Sequence, residues 1–171
     1  MKKKVTNFLM GMDCHLTIFP ANTTAEEILR HNPNGIVITN GPGNPMDVPE
    51  VVETVKGLMG KKPMLGFCMG HLVMALANGA ETAKMKFGHH GNQPVKGLET
   101  GRVYISSQNH GYVVDENSLE GKDITVTHVA LNDGTVEGLK YEGKNALSVQ
   151  FLPDVEHTYL LKTFVDMMEG R

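Results

Sequence analysis

Twice in the first half of the chain a short apolar run ends in a glycine-bearing turn and passes straight into a helical pattern, which obliges the runs to lie side by side as parallel strands. The first run, Gly35 to Thr39, carries Ile36-Val37-Ile38, and the second, Pro63 to Phe67, has no polar side chain at all. A strand without a polar face must be covered above and below, so helices are expected on both faces of the sheet. The pattern predicts one helix over Val48 to Met59, with Asp47 as its cap and Pro49 tolerated in its first turn. Another is expected over Met69 to Asn78, ended by Gly79. Upstream, Leu16 to Phe19 reads as a strand closed by Pro20. Thr23 to Arg30 reads as a helix in which Thr24 and Glu27 have capping-box spacing.

The second half reads differently. Gly88 to Pro94 is polar and turn-rich and is expected to be a loop. Val103 to Ser106, Tyr112 to Val114, Ile124 to Val129, Val136 to Tyr141 and Leu147 to Phe151 read as short strands, and Asn132-Asp133-Gly134 as a turn between two of them. Glu156 to Met168 closes the chain as a helix with Leu160, Leu161, Phe164, Val165 and Met168 on one face. The expected organisation is a single domain over residues 1–171.

Composition excludes several function classes. Sixteen basic against nineteen acidic residues leave a net charge of −3, without the positive face that nucleic acid requires. No apolar stretch approaches a membrane span, and the Met1 to Met12 start lacks a signal-peptide cleavage site. Two cysteines, Cys14 and Cys68, are too few for a disulfide framework, which favours a reducing cytoplasm.

The chemistry concentrates in Pro63-Met64-Leu65-Gly66-Phe67-Cys68-Met69-Gly70-His71. An apolar strand runs into Gly-x-Cys-x-Gly and then into a helix, the pattern of a nucleophile elbow, in which flanking glycines permit a strained turn that exposes the nucleophile. A cysteine there also sits at a helix N-terminus, whose partial positive charge favours thiolate. Thr39-Asn40-Gly41-Pro42-Gly43-Asn44-Pro45 follows a buried strand and can turn backbone amides toward an anion. Taken alone, the first segment has a buried structural cysteine between packing glycines as its alternative, and the second reads as an ordinary tight turn. The polar clusters Lys86-Phe87-Gly88-His89-His90-Gly91 and Gln108-Asn109-His110-Gly111-Tyr112 are too long for simple turns.

Taken in order with Lys84 to Gly88, Ser107 to Tyr112, Thr127-His128, Leu131 to Gly138 and Ser148 to Phe151, these strings resemble the class I glutamine amidotransferase domain of carbamoyl-phosphate synthetase small subunits along essentially the whole chain. The resemblance implies a three-layer, flavodoxin-like α/β fold, with a mostly parallel central sheet plus a smaller antiparallel one, here lacking the first central strand. It implies that a cysteine attacks the side-chain amide of L-glutamine, releasing ammonia to a large synthetase subunit that makes carbamoyl phosphate. By motif, Cys68 matches the nucleophile, and Gly43 and Met69 match the oxyanion amides. Gly41, Leu72, Asn109, Gly111 and Tyr112 fall at glutamine-site positions. No cofactor and no metal are implied.

The resemblance breaks at the catalytic base. The family's Ser-Val-Gln-[Phe/Tyr]-His-Pro-Glu is here Ser148-Val149-Gln150-Phe151-Leu152-Pro153-Asp154, so Leu152 replaces the histidine and Asp154 the glutamate. Leu72 stands where a substrate-contacting glutamine is usual. The loop Gly88 to Pro94 and the stretch Pro153 to Tyr159 are shorter than the family pattern. These departures imply impaired catalysis, with His157 as the candidate for a relocated base and a non-enzymatic interaction module as the further alternative. His89 and His90 invite a metal reading with His110, but no Cys or carboxylate spacing supports it. His110, His128 and His71 match family histidines and are expected to be structural or site-lining. A sheet short of one strand leaves an open edge, and self-association as a homodimer is expected through Val5 to Phe19.

Overall fold

The fold is built outward from one buried strand. In a computed structural model of the chain, which describes residues 3–153 and 157–171, β2 (Met64–Phe67) is buried along its whole length. It lies parallel to β1 (Ile36–Ile38) on one side and to β7 (Ala146–Val149) on the other. Alternation along β2 divides the interior. Met64 packs with Val55, Leu58, Leu72 and Val73 of α3 (Pro49–Leu58) and α4 (Met69–Ala77). Leu65 and Phe67 pack with Leu160, Leu161, Phe164 and Val165 of α5 (Thr158–Glu169), and with Val5 and Leu9 of α1 (Lys3–Met10). Helices therefore cover both faces, which is why this strand could be written without a polar residue.

The remaining strands are β3 (Thr82–Gly97), β4 (Val103–Val114), β5 (Ile124–Ala130) and β6 (Val136–Tyr141), and the sheet order is β1-β2-β7-β6-β5-β3-β4. The α/β class holds. The expected second, smaller antiparallel sheet is instead continuous with the parallel strands, because β6 pairs antiparallel with both β5 and β7.

Local expectations hold best where a side chain or a steric rule sets them. Thr24 caps α2 (Ala25–Arg30), its Oγ1 accepting from the Glu27 amide at 3.3 Å. Asp47 is not the cap of α3. It ends a short 3₁₀ turn, Pro45–Asp47, and Val48 takes the cap position. Gly88 to Pro94 is not a loop but the middle of β3, paired with β4 after a register shift between Lys84 and His89. The two strands expected from Val103 to Val114 are accordingly one.

Leu16 to Phe19 forms no strand. Among the described residues β1 is a sheet edge, so no neighbouring strand supplies this segment with a ladder. Of the Val5 to Phe19 segment, Val5 and Leu9 are buried in the α5 cluster rather than offered to a partner, while Met10 and Ile18 stay exposed. No helix among the described residues is long and apolar enough to cross a membrane.

Candidate active site

Cys68 occupies the joint between β2 and α4 and serves both. Its amide donates to the Val149 carbonyl at 3.0 Å, a last rung of the sheet, and its own carbonyl accepts from the Leu72 amide at 3.2 Å, the first turn of the helix. Satisfying both forces φ 54° and ψ −107°, a conformation that costs a non-glycine residue on the order of 1–3 kcal/mol. Two glycines make the joint close. A Cβ on Gly66 would stand 2.5 Å from Met74 Sδ, and one on Gly70 would stand 2.7 Å from the Ile38 carbonyl carbon and nearer still to its oxygen. The helix can approach the ends of β1 and β2 only because neither position carries a side chain.

Cys68 opens onto a cleft of about 480 Å³, within the usual size of small-molecule sites. Three stretches far apart in the chain line it: Gly41 and Gly43 after β1, Cys68, Met69 and Leu72 at the elbow, and Asn109, Gly111 and Tyr112 on β4. Gly43 has φ +92°, which lets the loop after β1 turn over the cleft. Five further residues, Pro42, Asn44, Asp47, His90 and His110, also line it. Asn44 and His90 each lie within a singled-out string, but nothing local assigns either side chain to the cleft. His90 reaches the cleft because it neighbours Asn109 across the β3–β4 ladder, with its Nδ1 2.8 Å from Asn109 Oδ1.

The class I glutamine amidotransferase family, "Glutamine amidotransferase class-I", matches residues 1–166. The chain belongs to that family. It is similar to the carbamoyl phosphate synthase small chain of Bacillus cereus, with 51% identity across 99% of this chain and 48% of the relative. It is 49% identical to the small chain of Listeria monocytogenes, across 100% of this chain and 49% of that one. The chain thus spans about half the length of the curated relatives it matches. In fold it is similar to a protein from Thermoplasma acidophilum assigned to GMP synthase (TM-score 0.81, 21% identity, 98% of this chain and 88% of that one). A Thermotoga maritima glutamine amidotransferase is a more distant fold match (TM-score 0.69, 16% identity, 96% and 75% covered).

In this member of the family Leu152 is not among the residues that line the cleft. Leu152 forms an isolated antiparallel bridge with Ser107 and packs, partly buried, against the α5 cluster. Asp154 lies outside the described residues. His157 is completely buried, its ring 4.6 Å from that of Phe151 and 5.3 Å from that of Tyr104, and it does not line the cleft.

Beside the cleft, β3, β4 and β6 bring together a buried polar cluster of His89, Gln108, His110 and Glu137. A hydrogen bond with Glu137 holds the His89 pKa up to about 9, and burial pushes His110 down to about 4. Burial likewise raises the Glu137 carboxyl above its ordinary range.

His71, under the elbow, is also fully buried. Its Nδ1 lies 2.8 Å from Ser148 Oγ, and its Nε2 has no hydrogen-bond partner among the described residues. Burial, with the neighbouring His110, pushes its pKa down to about 3 from 6.5. The unfolded chain therefore binds the extra proton between those values, and stability is lost as pH falls through that window. His128, pushed down to about 4 by burial, adds the same sign. His89, held up to about 9, acts in the opposite sense, but the unfolded chain already binds most of that proton below pH 6.5, so its opposition is small. From pH 6.5 to 4.5, His71 alone should remove about 2–3 kcal/mol and lower Tm by roughly 5–12 °C. Thermal melts across that range test this, and a flat Tm would overturn it.

Proposed function

We propose that the cleft binds L-glutamine, that Cys68 is its nucleophile, and that turnover is impaired because Leu152 stands where the family has its histidine. The observation that carries this reading is the convergence, on one cleft with a strained Cys68, of residues from all three motif segments. The Cys68 thiolate attacks the glutamine amide carbon, and the oxygen takes the negative charge toward the amides of Gly43 and Met69. The C–N bond then breaks, nitrogen leaves as ammonia once it is protonated, and a glutamyl thioester remains for water to hydrolyse to glutamate. Leucine can neither deliver the proton to nitrogen nor take one from water, so both halves of the cycle lose their acid–base partner.

The similarity to carbamoyl phosphate synthase small chains supports delivery of the ammonia to a large synthetase subunit. His157 is a poor candidate for a relocated base, being enclosed by Phe151 and Tyr104. A second reading is favoured by one contact. His90 lines the cleft with Cys68 and is held by Asn109 Oδ1, so an imidazole oriented by an amide is available, as in Cys–His–Asn hydrolases.

Intact mass after incubation with a glutamine-like electrophile tests the proposal. A single adduct that is absent in Cys68→Ser and suppressed by excess glutamine is expected. No adduct on folded protein would leave a non-enzymatic interaction module as the better reading. Steady-state turnover that disappears in His90→Ala would replace the impaired reading by the second one.

A further inference from the structure

His89 and His110 are paired across the β3–β4 ladder, and their rings meet edge to face with centroids 5.0 Å apart. Between them, from β6, comes Glu137, whose side chain is completely buried. His89 Nδ1 lies 3.2 Å from Glu137 Oε1, and His110 Nε2 lies 3.8 Å from the same oxygen. One ligand-type atom from each of the three residues falls within 4.8 Å of the others.

The outer atoms of the cluster determine where the protons are. His110 Nδ1 is 2.9 Å from the Tyr112 carbonyl, which can only accept, so that nitrogen carries the hydrogen. His89 Nε2 is 3.0 Å from the Asp133 carboxylate, so it too is the donor. A neutral imidazole has one N–H. His110 Nε2 therefore turns a lone pair inward, and His89 Nδ1 does the same once the hydrogen it directs toward Glu137 is displaced. Facing them is the Gln108 carbonyl oxygen, 3.0 Å from His89 Nδ1 and 2.6 Å from His110 Nε2. Glu137 Oε1 is a further acceptor at the same place.

Turning the Gln108 amide over does not relieve this. Its Nε2 now donates to Glu137 Oε2 at 3.0 Å and to Ser106 Oγ at 3.0 Å. Reversed, its oxygen would face the Glu137 carboxylate instead. A single proton on His89 Nδ1 serves Glu137 Oε1 but leaves His110 Nε2 and the Gln108 carbonyl oxygen, both acceptors, 2.6 Å apart, and a second proton would set two imidazolium ions side by side, where like charges repel strongly. A buried acceptor left without a donor or a cation is unfavourable. A cation held by both inner nitrogens and Glu137 Oε1 takes the place of that proton and satisfies His110 Nε2 as well.

We propose that His89 Nδ1, His110 Nε2 and Glu137 Oε1 bind one divalent first-row cation of the zinc class, with the Gln108 carbonyl oxygen beside the remaining coordination position. Two imidazoles and one carboxylate are a zinc donor set, and tetrahedral bonds of about 2.0–2.1 Å give ligand-to-ligand edges of about 3.3 Å. The contacts at 3.2 and 3.8 Å bracket that value. The outer hydrogen bonds have the form that orients metal-bound histidines, one imidazole backed by a carboxylate and the other by a backbone carbonyl. The strand that carries His110, β4, also presents Asn109, Gly111 and Tyr112 to the cleft. A bound cation would pin β3 and β4 to β6 at that rung. It acts as a positioning group for the proposed glutamine site, and only this consequence rests on that reading of the cleft.

The test uses the chain free of any histidine tag, stripped with a chelator and titrated with Zn²⁺ and then Co²⁺. One equivalent of Zn²⁺ should survive desalting and raise Tm. Co²⁺ should give tetrahedral absorption without a thiolate charge-transfer band. The double variant Cys14→Ser, Cys68→Ser should keep that equivalent. Glu137→Gln should lose it, and Asp133→Asn, on an exposed turn, should weaken binding by about 10–100-fold. Folded chain that retains no Zn²⁺ would overturn the proposal. So would Zn²⁺ lost with the two thiols, or held unchanged by Asp133→Asn. Zn²⁺ binding without any change in labelling of Cys68 by the glutamine-like electrophile would leave the cation site standing and remove only its link to the cleft.

Discussion

Purified chain is expected to hydrolyse glutamine at least about 10⁴-fold more slowly than an intact Cys–His pair sustains, because acid–base help is worth about 10²–10⁴ and members of a catalytic unit fail together. The amide is the demanding part of the reaction. Its nitrogen cannot leave as an anion, and Leu152 offers no proton. The double substitution Leu152→His with Leu72→Gln should recover only about 10–10²-fold of the loss. Leu152 lies on a backbone bridge to Ser107 and packs against the α5 cluster, outside the cleft lining, so an imidazole placed there still has to be turned toward Cys68. Steady-state ammonia release, with Cys68→Ala as the blank, measures both effects. Robust turnover by the unaltered chain would overturn the impaired reading, and full recovery in the double variant would mean the surrounding backbone had needed no adjustment.

Gly70→Ala is expected to remove about 3 kcal/mol or more of stability, at the upper end of overpacking effects. The new methyl group would meet the Ile38 carbonyl, which belongs to β1 and is held in register with Gly66 of β2. Neither partner is a flexible side chain, so α4 must lift from the sheet. That would carry Cys68 with it, and a fall in Tm of roughly 6–12 °C should come with loss of electrophile labelling. Gly111→Ala is the matched contrast. A Cβ there meets nothing within 4 Å, so stability should change by no more than about 0.5 kcal/mol, while the position still lines the cleft. Equal melting temperatures for the two variants would show that the approach at Gly70 is not tight.

Local chemistry was legible in the sequence. Gly66, Cys68 and Gly70 are adjacent in the chain, and their strand-to-helix turn needs no distant partner to be recognised. Thr24 is another such case, since a cap is completed within one turn. The covered strand Met64–Phe67 announced helices on both faces through its lack of polar residues. The polar stretch Gly88 to Pro94 was misread for a related reason. Neither face of it is apolar, so no period-two pattern marks it as a strand, and it is extended because β4 supplies a ladder for it.

His90 and Glu137 reached their places by the same route. In a strand, successive side chains point to opposite faces. His89 and His90 therefore part company, one toward Glu137 and the other toward Asn109. A metal set of His89, His90 and His110 was for that reason never the one to expect. The carboxylate that joins His89 is 48 positions away, on a strand that does not neighbour β4 in the sheet.

By itself the sequence determined the class of the fold, the family and the strand-to-helix turn at Cys68, because covered strands, glycine spacing and capping are written within a few residues of one another. Only the tertiary structure decided that the strands form one sheet, that Leu16 to Phe19 stays out of it, and that His89, Gln108, His110 and Glu137 converge beside the cleft. Those outcomes depend on register between distant strands, and register is a property of the pair, not of either strand alone.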